Sequence, residues 1–289
     1  MALDLSAVGK TTSAHVHAYT DRDVILYALG VGAKQDELDF LYEGRGPRVL
    51  PTFAVVPAWP VVVECFEMLG AELIGVVHGG QSIKLHRPFA PSGRLTTTGT
   101  ITGIYDLKRL ATGVFTTESR DDAGRLVAET TWTIIFRLDG GFGGERPPKR
   151  PRISVPKGST PLFTWEETTR PEQALLYRLS GDRNPLHADP EVAKRAGFEA
   201  PILHGLCTYG YLARAALHSL AGGDATRLAE LEVSFLAPVI PGETLHIEGH
   251  ALEDDRVALV MTTKERPDEV AVGNAFVRLS ASRAGVTEG

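Results

Sequence analysis

DVILYALGVG at residues 23–32 returns, 150 positions later, as QALLYRLSGD at 173–182, with Tyr27 falling on Tyr177. The coincidence continues outward. Pro51 falls on Pro201, and each opens a long apolar stretch. LHRPFAPSGRL (85–95) lies over FLAPVIPGETL (235–245), so Pro88 meets Pro238, Pro91 meets Pro241 and Leu95 meets Leu245. Turn-forming and apolar landmarks that recur at one offset mark a repeated structural unit, even at low identity. Between the two copies, residues 139–160 read DGGFGGERPPKRPRISVPKGST. Gly, Pro and basic residues crowd there without hydrophobic periodicity, as in a linker. The chain therefore divides into one unit over 1–138, a linker over 139–160 and a second unit over 161–289.

Each unit repeats the same coarse order. A short helix comes first, at 20–30 and 171–180. A longer apolar helix follows, at 52–69 and 203–220; GLCTYGYLARAALHSLA is apolar on most faces, which predicts burial. Four alternating, β-rich runs come next: SIKLHRPF, LTTTGTITGIY, GVFTTESR and LVAETTWTIIFRL in the first unit, and LAELEVSFLAP, TLHIEGHALE, RVALVMTTKE and EVAVGNAFVRLSA in the second. They read as antiparallel strands joined by short turns. The expected class is α+β, a central helix wrapped by a curved antiparallel sheet, occurring twice and packed as an internal pseudo-dimer.

The chain's 289 residues carry 30 Lys+Arg against 36 Asp+Glu, a formal net charge of -6, with 43% hydrophobic and 23% charged residues. That balance excludes a disordered chain and gives no general attraction for phosphate, so no nucleic-acid partner is expected. Cys65 and Cys207 are too few for a disulfide framework or a Cys-rich zinc site, which predicts a reducing, cytoplasmic setting. MALDLSAVGK lacks a signal-peptide apolar run. The most apolar stretch, Val49 to Val77, is broken by Pro51, Pro57 and Pro60 and carries Glu64, Glu67 and Glu72, so it reads as buried core and not as a membrane span.

Chemistry concentrates in YRLSGDRNPLHADP, residues 177–190. Gly181, Asn184, Pro185 and Pro190 make it a poor helix, and Asn184, before a proline, is pushed toward extended backbone. An Asn-Pro bend can converge Asp182 and His187, which helical spacing would separate. A carboxylate beside an imidazole holds a water and moves protons near neutral pH. Asp and Asn also start turns and cap helices for purely structural reasons. The repeat separates the two readings: the 150-residue offset puts Gly32 under Asp182 and Glu37 under His187. Residues that merely shaped the bend would be expected in both units, so the asymmetry points to chemistry in the second unit alone.

PILHGLCTYG (201–210) places His204 and Gly205 at the start of the buried helix. A helix N-terminus presents free N–H groups and partial positive charge, and Gly205 lets another molecule approach its N–H, as in an oxyanion hole. Close helix–sheet packing is the bland alternative for that glycine. His78-Gly79-Gly80-Gln81 is read as a turn preceding a strand, with Gln81 a candidate pocket residue. Other motifs fail. AVGKTT (7–12) has Asp4 where a phosphate loop needs glycine, LGVGAKQ lacks the third glycine of a dinucleotide fold, and no G-x-S-x-G elbow occurs. His246 and His250 sit four apart on an expected strand and are read as surface residues; no metal site is expected.

YRLSGDRNPLHADP resembles the hydratase 2 group of the MaoC-like dehydratases, the (R)-specific 2-enoyl-CoA hydratases. Tyr177, Ser180, Gly181, Asp182, Asn184, Pro185, Leu186 and His187 match the family's pattern. PILHGLCTYG is similar to its second motif, and LPTF (50–53), HGGQ and GGFGGERP (140–147) resemble its longer, double-hotdog members. The resemblance spans most of the chain. It implies two hotdog units, the second catalytic and the first accommodating the acyl chain. The implied reaction is reversible hydration of a trans-2-enoyl-CoA to a (3R)-3-hydroxyacyl-CoA, with acyl-CoA as the partner molecule and no cofactor. Asp182 and His187 would hold and deprotonate water, Asn184 would orient them through its amide, and the Gly205 N–H would receive charge on the thioester oxygen. Tyr177, His204 and Gln81 would contact substrate. Family members often pair further, so a homodimer is an expectation. Which of Asp182 and His187 is base and which is acid stays open, as does acyl carrier protein in place of CoA. Two rival readings remain at this level, a hotdog acyl-CoA thioesterase and a non-catalytic acyl-thioester-binding protein.

Overall fold

In the computed structural model, which describes residues 3–72, 75–149 and 151–281, the two halves fold alike. The first contains strand β1 (His15–Tyr19), helix α1 (Asp21–Gly30), a one-turn helix α2 (Leu38–Leu41), a long helix α3 (Val55–Leu69), and strands β2 (Val76–Leu85), β3 (Gly93–Asp106), β4 (Ala111–Asp121) and β5 (Leu126–Phe136). The second contains β6 (Phe163–Thr168), α4 (Gln173–Tyr177), α5 (Pro190–Arg195), α6 (Gly205–Ala221), β7 (Leu228–Phe235), β8 (Thr244–Ala251), β9 (Arg256–Thr263) and β10 (Val272–Leu279). All ten strands form one sheet in the order β1-β3-β4-β5-β2-β7-β10-β9-β8-β6. Each half has the same internal topology, and the halves join where β2 pairs antiparallel with β7, Gly80 opposite Ser234 and Lys84 opposite Glu230. These are the two expected hotdog units.

Edge strands β1 and β6 are additions to the expected set. HVHAY and FTWEET are short and partly exposed, so their hydrophobic alternation is weak, and pairing with β3 and β8 decides their state. The 150-residue offset holds from α1 to the start of β3 and is lost within it, because β3 has 14 residues where its counterpart β8 has 8. The two long helices end alike, on Gly70 and Gly222 with φ of 63° and 61°, a left-handed cap that favours glycine. HGGQ is not a turn before a strand. It lies inside β2, at an irregularity between His78 and Gly80, and a side chain on Gly80 would meet the Val233 carbonyl. His250 also departs from its surface reading: it is buried, bonded to Ser159 and Glu248, while His246 is partly exposed.

The run Pro51–Leu69 is long and apolar enough to cross a membrane, with mean hydropathy 1.5. In the fold its Val61, Val62, Cys65 and Leu69 pack as core against the sheet. The segment 139–160 contains no helix or strand among its described residues, yet it is pinned down. The Asp106 carboxylate accepts from the Gly141 and Gly143 N–H groups at 3.0 and 2.6 Å, and Asn274 accepts from the Ile153 N–H at 2.8 Å.

Polar bonds weld the halves. The last carbonyls of α1 find no donor within their own helix, as at any helix C-terminus, and the second unit supplies them. The Gln173 amide donates to the Leu29 and Gly30 carbonyls (3.1 and 2.7 Å), Cys207 Sγ to Gly30 (3.2 Å) and Arg214 Nη1 to Val31 (3.0 Å). Arg214, 1% exposed on α6, also meets Glu37 of the first unit and Glu167 of β6, and His218 bonds Glu37 at 2.7 Å. Burial alone would raise the Glu37 pKa; bonds from His218 and Arg214 instead hold it at about 2. Its stabilising contribution is therefore complete above the ordinary carboxylate value and is lost as pH falls toward 2. Replacing Arg214 by Ala removes the buried partner shared by two carboxylates, leaving Glu37 with His218 and Glu167 with Lys34. We expect a loss of roughly 3–5 kcal/mol, the usual cost of breaking a buried pair, measured as a lowered urea midpoint at neutral pH. An unchanged midpoint would show that the network adds nothing.

Candidate active site

The bend at 177–190 forms because its sequence forbids continuous helix. After α4 a single 3-10 turn, Arg178–Ser180, ends on Gly181 with φ of 136°, a conformation that favours glycine. Asn184 then caps a second 3-10 turn, Pro185–His187, its Oδ1 accepting from the Leu186 N–H at 3.0 Å. The Asn184 backbone N–H donates to Asp182 Oδ1 at 3.0 Å. The Asn184 side chain thus shapes the loop, and its main-chain N–H, not its side-chain amide, touches Asp182.

The bend converges what the spacing separated. A carboxylate oxygen of Asp182 and one ring nitrogen each of His187 and His204 lie within 4.8 Å of one another. The His187 ring stacks on His204, centroids 3.7 Å apart. His187 Nδ1–H donates to the Ile202 carbonyl at 2.8 Å, which fixes the tautomer and leaves Nε2 with a free lone pair in the neutral ring. His204 Nε2–H donates to the Asp182 main-chain carbonyl at 3.1 Å, and its buried Nδ1 has no partner. Burial pushes the Asp182 carboxyl up, against the opposing pull of His187 and the Asn184 N–H. Burial pushes the His187 imidazole down, against the pull of Asp182. The low-dielectric surroundings favour a neutral imidazole beside the carboxyl, an arrangement that can accept a proton. Two imidazoles and a carboxylate could also hold a metal ion by donor type.

Gly205 is the first residue of the 17-residue α6, and its N–H has no hydrogen-bond partner among the described residues. A Cβ at Gly205 would stand 3.3 Å from the Phe235 ring, so close packing alone also accounts for the glycine. The Gly205 N–H is nevertheless one of the free donors at the start of the helix that carries His204 as its N-cap. Tyr177 is 2% exposed and packs against His204 with ring centroids 4.9 Å apart, behind the site and not at an open surface. Gln81 is 2% exposed inside the sheet, its amide donating to the Ser82 carbonyl; no contact joins it to Asp182 or His187 among the described residues.

An aromatic arc, missed in the sequence, bounds the site. Trp59 of α3 lies 3.6 Å from where a side chain on Gly181 would begin. Its ring is 6.0 Å from Trp132 of β5, Trp132 stacks on His78 of β2 (5.1 Å, 10°), and His78 meets Phe235 of β7 edge-on at 5.0 Å. The arc runs from beside Asp182 to the start of α6, and Trp59, Trp132 and His78 belong to the first unit. His78 donates from Nε2 to the Gly80 carbonyl, and burial pushes it down to about 4, so it stays neutral. Nothing in the spacing links residues 59, 78, 132 and 235; only the α3–sheet packing and the β2–β7 join bring them together.

Comparison with known proteins follows the same division. The MaoC like domain matches residues 153–273, and the MFE-2 hydratase 2 N-terminal domain matches residues 17–138. The chain is 41% identical over 254 residues to 3-hydroxyacyl-thioester dehydratase Y of Mycobacterium tuberculosis, covering 85% of this chain and 86% of that one. It is 38% identical over 288 residues to peroxisomal enoyl-CoA hydratase 2 of Arabidopsis thaliana, covering 92% and 93%. The crystal structure of a MaoC-like dehydratase from Phytophthora capsici superposes with a TM-score of 0.85 at 30% identity, covering 96% of this chain and 98% of that one.

The site geometry makes a prediction that needs no substrate. The His187 ring should titrate below the ordinary imidazole value of about 6.5, as followed by NMR of the ring protons and assigned by their loss in His187→Gln. A midpoint at or above that value would contradict the buried, neutral imidazole described here.

Proposed function

Because the chain belongs to the MaoC-like dehydratase family, we propose that it catalyses the reversible hydration of a trans-2-enoyl-CoA to a (3R)-3-hydroxyacyl-CoA. The observation that carries this reading is the convergence of Asp182 and the tautomer-fixed His187 beside the free N-terminus of α6. C3 of an enoyl thioester is electrophilic because the carbonyl can accept charge. Water held between Asp182 and His187 Nε2 attacks C3, and its proton passes to the pair. Charge gathers on the thioester oxygen, where the Gly205 N–H stabilises it; one well-placed donor contributes roughly 10²–10³ in rate. A proton returned by the pair to C2 completes the addition of water across the double bond, and positioned acid–base help contributes about 10²–10⁴.

His204 supports the pair from behind, and Tyr177 supports His204. The first unit takes the acyl chain along Trp59 and His78, both partly exposed, with the buried Trp132 ring packed between them as support. Edge strands β1 and β6 leave unpaired edges suited to further pairing as a homodimer. Cys65 and Cys207 are free and buried, as suits a cytoplasmic, reducing setting.

Loss of enoyl absorbance on mixing with crotonyl-CoA, without release of free thiol, is the expected result; thiol release would indicate a thioesterase, and no change a binding protein. Asp182→Asn and His187→Gln should fold and each lower kcat at least about tenfold. Near-normal turnover in either variant removes that residue from the mechanism. Protonation of His187 as pH falls removes the base, so the acid limb of kcat/KM should lie below about 6.5. Trp59→Ala should lower kcat/KM for a ten-carbon enoyl-CoA several-fold more than for crotonyl-CoA, since the longer chain covers more apolar surface along the arc. Equal losses would place the acyl chain elsewhere.

A further inference from the structure

Arg178 begins the turn that ends on Gly181, just before Asp182. It opens the 3-10 turn Arg178–Ser180 and donates from Nη2 to the Arg183 carbonyl at 3.3 Å, so its side chain spans the loop in which Gly181 and Asp182 sit. The residue is half-buried, and its Nε is buried with no hydrogen-bond partner. Among the described residues no carboxylate comes within ion-pair distance of it, whereas buried Arg214 meets two. A guanidinium partly withdrawn from water without a counter-ion is costly unless its charge is used. The groups facing this turn are Tyr177 and Asp182 from its own segment, His187 from the next turn, His204 and Cys207 from α6, and Tyr27 and Trp59 from the first unit; Arg183 points to solvent.

We propose that Arg178 is a positioning residue of the hydration: it braces the turn that presents Asp182 and places an uncompensated positive charge beside the Asp182–His187 pair, favouring carboxylate with neutral imidazole. The electrostatics agree in sign. Behind the larger effect of burial, the Arg178 charge draws Asp182, His187 and His204 all toward lower pKa. The role rests on the hydratase reading, but the field of the guanidinium can be measured without substrate.

The test compares the full-length wild type with Arg178→Gln and Arg178→Lys. The expected result for Arg178→Gln is an upward move of the His187 NMR titration and of the acid limb of kcat/KM, by roughly half to one pH unit. Its kcat/KM should fall about tenfold, equally for crotonyl-CoA and for the crotonyl thioester of N-acetylcysteamine, which lacks the phosphates. Arg178→Lys should keep the limb within a few tenths of a unit of wild type. An unmoved limb and titration in Arg178→Gln would overturn the proposal. So would a loss confined to the CoA ester through KM, which would make Arg178 a phosphate-binding residue. If Arg178→Gln does not fold, a large limb shift in the charge-conserving Arg178→Lys overturns the proposal, and an unshifted limb supports it. A wild type that hydrates neither thioester defeats the hydratase reading, while the NMR titration still decides on the field of Arg178.

Discussion

Three side chains from one half of the molecule make four hydrogen bonds to the carbonyls that end a helix in the other. Gly30 and Val31 present buried oxygens at the C-terminus of α1 and Leu29 a part-buried one that also accepts from the Gly32 N–H, and Gln173, Cys207 and Arg214 supply the hydrogens from the other half. A buried carbonyl left unpaired costs on the order of 1–3 kcal/mol, so separating the halves would expose or orphan several at once. The same contact sets the spacing of the site. Gln173 opens α4, which leads into the bend carrying Asp182, while Cys207 and Arg214 lie on α6, whose first turn carries Gly205. Both elements of the candidate site therefore take their position from the C-terminus of α1, which lies outside the Asp182–His187–His204 cluster.

This arrangement gives the first unit a double task. It anchors the second unit's helices, and through Trp59, Trp132 and His78 it walls the site beside Asp182. A single unit has neither the anchor nor the wall. The aromatic arc is also closed by Phe235 from the second unit, so the arc is a product of the β2–β7 join. Water exclusion follows from the same packing: the rings that could contact an acyl chain also lower the dielectric around the pair, which is why burial dominates the titration of His187 and Asp182.

Much of this was legible in the residues. The offset carrying Tyr27 onto Tyr177 and Pro88 onto Pro238 revealed the duplication, because turns and buried positions tolerate few residue types. Gly181, Asn184 and Pro185 announced a bend, and the bend brings Asp182 to His187. Edge strands β1 and β6 were not legible, since short strands with one exposed face depend on their neighbours. HGGQ looked like a turn because two glycines usually make one; here they admit the β7 backbone, and the reason lies in a strand some 150 residues away that no local reading can see. Gln81 looked polar enough for a pocket and is buried in the sheet. Arg178 carries no signal in the sequence, because an arginine after a tyrosine has no pattern of its own; its meaning comes from the absence of an ion-pair partner among the described residues, a property of the fold.

The two bends also show how one local geometry serves opposite ends. Each follows a short helix of the same half and faces the long helix of the other half, Gly181 against Trp59 and Gly32 against Tyr211. In the second unit the bend carries Asp182 and His187 with a water-sized task and no full ionic compensation. In the first, Glu37 occupies the place of His187 and spends its charge on Arg214 and His218. A carboxylate so fully paired is held at about 2 and has no basicity left for proton transfer near neutral pH. Strong pairing and proton transfer exclude each other at one position, because the bond that stabilises the anion removes its affinity for the proton. The duplication resolves that conflict by dividing it: one bend keeps an under-compensated pair able to react, and the other became the ionic anchor that holds it in place.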